Sequence, residues 1–196
     1  MTSVRATARE AAMRVPGDEL VARPIGVFTH AVTIQAPPAD VWPWLVQMGA
    51  GTRAGWYSYD RLDNAGKRST WRILARLQDI AVGDLLPALP GARDAFVVVA
   101  VDPGRTLVLG VPTPGGGYRA RWTFVLARAT TGETRLVVRA SFAYTLLGLP
   151  KPVMRVVGRL VHFIMQRQQL LGIKARVEWG RLWLPFADAG PGLEDS

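Results

Sequence analysis

Two runs of strictly alternating side chains, joined by a tight turn, constrain this chain more than any other feature. From Tyr118 to Arg128, Tyr118, Ala120, Trp122, Phe124 and Leu126 fall on one side, with Arg119, Arg121 and Thr123 on the other. After Thr131-Gly132-Glu133 the pattern resumes, with Leu136, Val138, Ala140, Phe142 and Tyr144 opposite Arg135, Arg139 and Ser141. A period of two sends successive side chains to opposite faces of a strand. The pair therefore predicts an antiparallel hairpin with one apolar and one wet face, and the apolar face needs a cover.

The rest of the sequence supplies the sheet and that cover. Residues 27–35 alternate, with Phe28, His30, Val32 and Ile34 on one face, and read as a further strand. Pro37-Pro38-Ala39-Asp40 opens a helix in which Val41, Trp44, Leu45 and Met48 form one stripe, stopped by Gly49. A glycine-bearing loop and a short helix follow, to about Gly66. Residues 82–86 read as a short edge strand ended by Pro87, and residues 95–101 and 105–111 as two strands across Asp102-Pro103-Gly104.

From Val153 the period becomes helical and persists to about Trp183. Val153, Val156, Val157, Leu160, Val161, Ile164, Leu171 and Val177 are assigned to the covering side of this helix. Arg155, Arg159, Gln166, Arg176 and Arg181 are assigned to the solvent side. The expectation is one α+β domain over residues 25–184. It is preceded by an Ala- and Arg-rich arm, residues 1–24, which forms a short helix or stays loose. It is followed by a flexible acidic tail, residues 185–196.

Composition narrows the chemistry. The 196 residues include no cysteine, which excludes disulfides, a cysteine nucleophile and thiolate metal ligands, and fits a reducing, cytoplasmic setting. With two histidines, no structural metal is expected. The net charge of +9 is carried by scattered arginines without a dense run, so a solvated basic surface is expected. Specific nucleic-acid binding is not expected, and transient contact with an anionic membrane is the partner the charge allows. Residues 1–20 contain no apolar targeting core, and Arg155, Arg159 and His162 interrupt the long helix too often for it to span a bilayer. Nothing in the sequence fixes the oligomeric state.

Candidate functional residues fall into four groups. Trp56, Tyr57, Tyr59 and Asp60 beside flexible glycines would form either the mouth of a pocket or a plug for the open end of the sheet. Phe96, Trp122, Phe124, Phe142 and Phe163 would be core or ligand wall. Arg167 interrupts the apolar side of the last helix, where it would meet a ligand carboxylate or a salt-bridge partner such as Asp60 or Asp63. His30 and His162 read as hydrogen-bonded core histidines, and they would form a pair if strand and helix face each other. No catalytic residue is assigned. Gly49 to Gly55 lacks a Gly-Lys-Ser/Thr ending and follows a helix, so no nucleotide cofactor is expected.

Three segments resemble a known group. Residues 36–49 (Ala-Pro-Pro-Ala-Asp-Val-Trp-Pro-Trp-Leu-Val-Gln-Met-Gly) are similar to the first strand-to-helix junction of the SRPBCC superfamily, the START-domain and Bet v 1-like group that includes polyketide cyclases. Residues 53–60 and 163–174 are similar to two further motifs of a bacterial branch. The resemblance spans about residues 27–180. It implies the helix-grip fold, a curved antiparallel sheet wrapped around a long C-terminal helix with a cavity between them. It also implies binding of a hydrophobic or amphipathic small molecule of lipid, polyketide or isoprenoid type, or a cyclase or dehydratase acting in the same cavity. The resemblance carries no set of catalytic residues with it.

Overall fold

The computed structural model describes residues 3–91, 95–129, 132–143 and 151–187. Tyr144 and most of the expected loop before the last helix lie outside the described residues, as do residues 188–196 of the expected tail. One six-stranded antiparallel sheet, in the order β1-β6-β5-β4-β3-β2, forms the body. Its strands are β1 (Gly26–Ile34), β2 (Leu85–Pro87), β3 (Ala95–Asp102), β4 (Thr106–Pro112), β5 (Tyr118–Arg128) and β6 (Thr134–Phe142). Helices α1 (Ala8–Ala12), α2 (Pro38–Val46) and α3 (Asp60–Asp63) are short, and α4 (Lys151–Ala187) is long. The long helix lies across the apolar face of the sheet, so the architecture is the helix grip, of class α+β.

Register explains the inner face. Trp122 stands opposite Ala140 and Leu109, and Phe124 stands opposite Val138 and Leu107. His30 pairs with Val138, and Phe28 with Ala140. The row through Leu107, Phe124 and Val138 is fully buried. The neighbouring rows carry Ala120 and Ala140, whose small side chains leave space that nothing on the sheet fills.

The structure corrects two sequence expectations. The second face of the sheet is only partly wet, because the arm runs along the edge of β1 at Val4 and Arg5 and packs over that face from about residue 10 to residue 18. The Thr7 side chain caps α1 in a capping box with Glu10. Glu10 then reaches Arg135 at 2.7 Å, and Asp18 reaches Arg121 at 2.9 Å and Arg139 at 3.0 Å. Arg139 also donates to the carbonyls of Glu10, Ala11 and Met13. Arg121 and Arg139 are therefore buried rather than solvated. Their charge is tolerable only because carboxylates and carbonyls surround it.

The second correction concerns α4. Among the described side chains of the helix, Gln166, Gln169, Leu170, Ile173, Arg176 and Val177 are the ones buried against the domain. Val156, Leu160, Val161 and Ile164, assigned to the covering side, are exposed. The true stripe runs 166, 169, 170, 173, 177, a continuous helical spacing once two glutamines are admitted to it. The assigned positions Val153, Arg155, Val157 and Arg181 have no described side chain.

The arm's acids test the outer face. Asp18→Asn removes the one carboxylate shared by two buried guanidinium groups and should cost about 2–4 kcal/mol. Urea unfolding of the variant against the parent measures it.

Candidate functional site

Local bonds fix the loop after α2. Arg53 folds back to donate to the carbonyls of Met48 and Val46 at 2.6 and 2.5 Å, satisfying acceptors at the end of that helix. Gly49 and Gly55 pair with each other, both at positive φ. Tyr57 also takes a positive φ, 60°, unusual for a residue with a side chain. Its surroundings hold it there. Its N–H donates to Ser69 Oγ, and its phenol accepts from the Gln47 amide at 2.9 Å. Its ring meets Trp44 edge-on, and Arg176 sits 4.7 Å from the ring centre. Arg176 lies slightly closer to Trp71, at 4.4 Å, and donates to the carbonyls of Thr70 and Gly172. Burial pushes the Tyr57 hydroxyl far above the usual phenol range, so it stays protonated and serves as a structural group.

With that loop fixed, a cavity of about 250 Å³ remains between sheet and helix. Its floor is Ala120 and Ala140, and one end is Trp56, Phe96 and Trp122, mutually packed with ring centres 5.4–5.5 Å apart. Phe142 stands among the rest of the wall, and α4 roofs it with His162, Met165, Gln166 and Gln169. The roof is polar but internally bonded. Trp122 Nε1 donates to Gln166 Oε1 at 2.8 Å, and Gln166 Nε2 donates to Gln169 Oε1 at 2.7 Å. Ser58, at the rim, donates to the Met165 carbonyl, and Asp63 completes the lining.

The ten residues expected at a site thus divide. Trp56, Phe96, Trp122 and Phe142 line this cavity. The other six stand elsewhere. Tyr57 is locked in the core behind the cavity. Phe124 is fully buried beside Trp122. Asp60 accepts from Ser69 N and Oγ and pins the loop. Tyr59 is exposed. Phe163 is partly exposed and faces an open groove on the other side of His30. Arg167 is half-buried, and no ion pair joins it to Asp60 or Asp63 among the described residues.

Sequence reasoning missed Asp63, Met165, Gln166 and Gln169 as lining residues. For the glutamines the available clue was their spacing with Leu170 and Ile173.

The two histidines do form a pair. Their rings stack at 5.5 Å, and Phe28 and Phe163 flank them at 5.1 and 5.6 Å. Both Nδ1 atoms are buried without a hydrogen-bond partner. Burial, and then the neighbouring His30, lower the His162 pKa to about 4. Burial, and then Arg159, lower that of His30. Both imidazoles are therefore neutral near pH 7. Asp63 is shifted the opposite way. Burial, and then Asp60, raise its pKa, and neither carboxyl oxygen accepts a well-formed hydrogen bond.

No family model matches the chain, and no curated protein does. Solved structures share its outline. The Zhui aromatase/cyclase from a Streptomyces species is 15% identical, with a TM-score of 0.48 over 78% of this chain and 93% of that one. A protein from Nitrosospira multiformis is 13% identical, with a TM-score of 0.49 over 80% of this chain and 99% of that one. The Aha1 dimer from Colwellia psychrerythraea is 17% identical, with a TM-score of 0.45 over 80% and 98%. The helix-grip fold itself rests on the strand order and helix placement described above.

The histidine pair yields a pH prediction. His162 binds its proton more weakly folded than unfolded, so stability is full above about pH 6.5. It falls as pH drops from there towards the folded value of about 4. The loss should reach roughly 3 kcal/mol, with His30 adding to it and Asp63 opposing it at the acid end. Thermal melts from pH 8 to pH 4 should show this slope, and His162→Phe should flatten it.

Proposed function

We propose that the chain binds a hydrophobic or amphipathic small molecule, of lipid, polyketide or isoprenoid type, between the sheet and α4. The observation that carries this reading is the unfilled volume over Ala120 and Ala140, walled by Trp56, Phe96, Trp122 and Phe142. A core built for stability alone would close such a space, since voids cost packing energy. Ligand burial would supply affinity at about 25 cal/mol per Å² of apolar surface, before association costs. The wall is mostly apolar, and its amides already bond one another, so an apolar body meets no unpaired amide there.

A second reading has its own observation. Asp63 and His162 both line the cavity and are both shifted towards their neutral forms, as groups serving acid–base chemistry often are. A cyclase or dehydratase would use these two as its titratable groups.

Solvent extraction of the purified protein, followed by mass spectrometry, tests the binding reading. A stoichiometric apolar compound is expected from the parent. Ala140→Leu fills the cavity from its floor and should leave the melting temperature unchanged or higher while reducing bound compound at least tenfold. Equal loading of parent and variant would sink the proposal. Turnover of the released compound, abolished by Asp63→Asn with binding retained, would establish the enzyme instead.

A further inference from the structure

The first half of α4 turns polar side chains towards the domain and, among its described side chains, leaves an apolar side exposed. His162 and Gln166 face inward. Outward stand Val156, Leu160, Val161 and Ile164, with exposures of 70%, 60%, 52% and 44%. These positions recur at helical spacing, so they make one contiguous strip. Val27 of β1 is also exposed, at 51%, and lies across a groove of about 910 Å³ from Val156 and Leu160. Isolated apolar residues on a surface need no explanation, but a strip of this extent marks a surface for contact.

Charge identifies what covers it. The charged residues lining the groove, Arg5 and Arg159, are both cationic. From residue 134 to residue 177 the sequence carries eight Lys or Arg and no Asp or Glu. Among those whose side chains are described, the four away from the helix strip are already engaged. Arg135 and Arg139 hold Glu10 and Asp18, Lys174 holds Glu178, and Arg176 is stacked on Tyr57 and Trp71. Arg159 and Arg167 stay beside the apolar strip. A second copy of the chain would bring its own uncompensated arginines against these, which disfavours self-association. A nucleic acid would neutralise the arginines but leave the aliphatic strip wet.

We propose that this half of α4, with the edge of β1 at Val27, docks on the surface of an anionic lipid membrane. Arginines beside an exposed aliphatic strip match the two components of such a surface, phosphate-bearing headgroups above and acyl chains beneath. Docking is peripheral, since no helix among the described residues is long and apolar enough to cross a bilayer. It sets the open groove against lipid. His30 and His162 stack between that groove and the internal cavity, so an apolar molecule leaving the membrane would meet the groove first.

Flotation of the full chain with phosphatidylcholine vesicles, with and without phosphatidylglycerol, tests this. Binding is expected only with the anionic vesicles and should weaken as salt is added. Leu160→Asp combined with Ile164→Asp should lower partitioning at least tenfold. Arg159→Ala should lower it about fivefold, the equivalent of one surface cation. All three positions are exposed, so unchanged melting curves would confirm that the fold is intact. No flotation with either vesicle, or flotation indifferent to these substitutions, would overturn the proposal. So would a stable dimer in light scattering that the double aspartate variant dissociates.

Discussion

The close approach of α4 to the loop at Tyr57 organises this structure. A side chain at Gly172 would run into the Tyr57 carbonyl, so only glycine lets helix and loop meet at this distance. Tyr57 is held by Gln47 from α2, by Ser69, by Trp44 and by Arg176 from α4 itself. One contact therefore ties the first helix, the loop and the last helix together. It fixes the C-terminal half of α4 onto the sheet, with Leu170, Ile173 and Val177 buried beneath. It also fixes where the helix has little side-chain volume beneath it, which is the cavity over Ala120 and Ala140.

Placement of charge follows the same division. Where the chain needs cations buried, it surrounds them. Arg121 and Arg139 lie between sheet and arm with Asp18 and backbone carbonyls around them, and Arg176 lies between two rings. Glu10, hydrogen-bonded by Arg135, has its pKa lowered to about 2. The arm is thus part of the fold, closing a face that alternation alone would leave to water. The histidine pair runs the other way. It sits among phenylalanine rings without a carboxylate partner, and burial keeps it neutral.

The strands were readable because alternation survives in β1, β5 and β6, and because glycines and prolines mark their ends. The helix-grip arrangement followed from the need to cover the apolar face of the hairpin with the one long helix. The side of α4 that turns inward was not readable. In its first half hydrophobicity selects the wrong side, since Val156, Leu160, Val161 and Ile164 stand exposed, and the buried Gln166 and Gln169 look like solvent residues until their bonds to Trp122 and each other are seen. The aromatic wall was legible in part, since Trp122 and Phe142 share the apolar face of the β5–β6 hairpin. Tyr57 and Asp60 were conspicuous in the sequence for their chemistry, yet they serve the loop. Asp63 and His162 reach the cavity through tertiary contacts that no local pattern encodes.

Helix α4 has two characters, anchored from Gln166 onward and held before that chiefly by ring contacts. Amide hydrogen exchange along the helix tests this most directly. Amides of residues 168–178 should open only with global unfolding, and those of 156–164 at least a hundredfold faster through local opening. Uniform protection along the whole helix would contradict it, because the exposed first half would then be as firmly packed as the anchor.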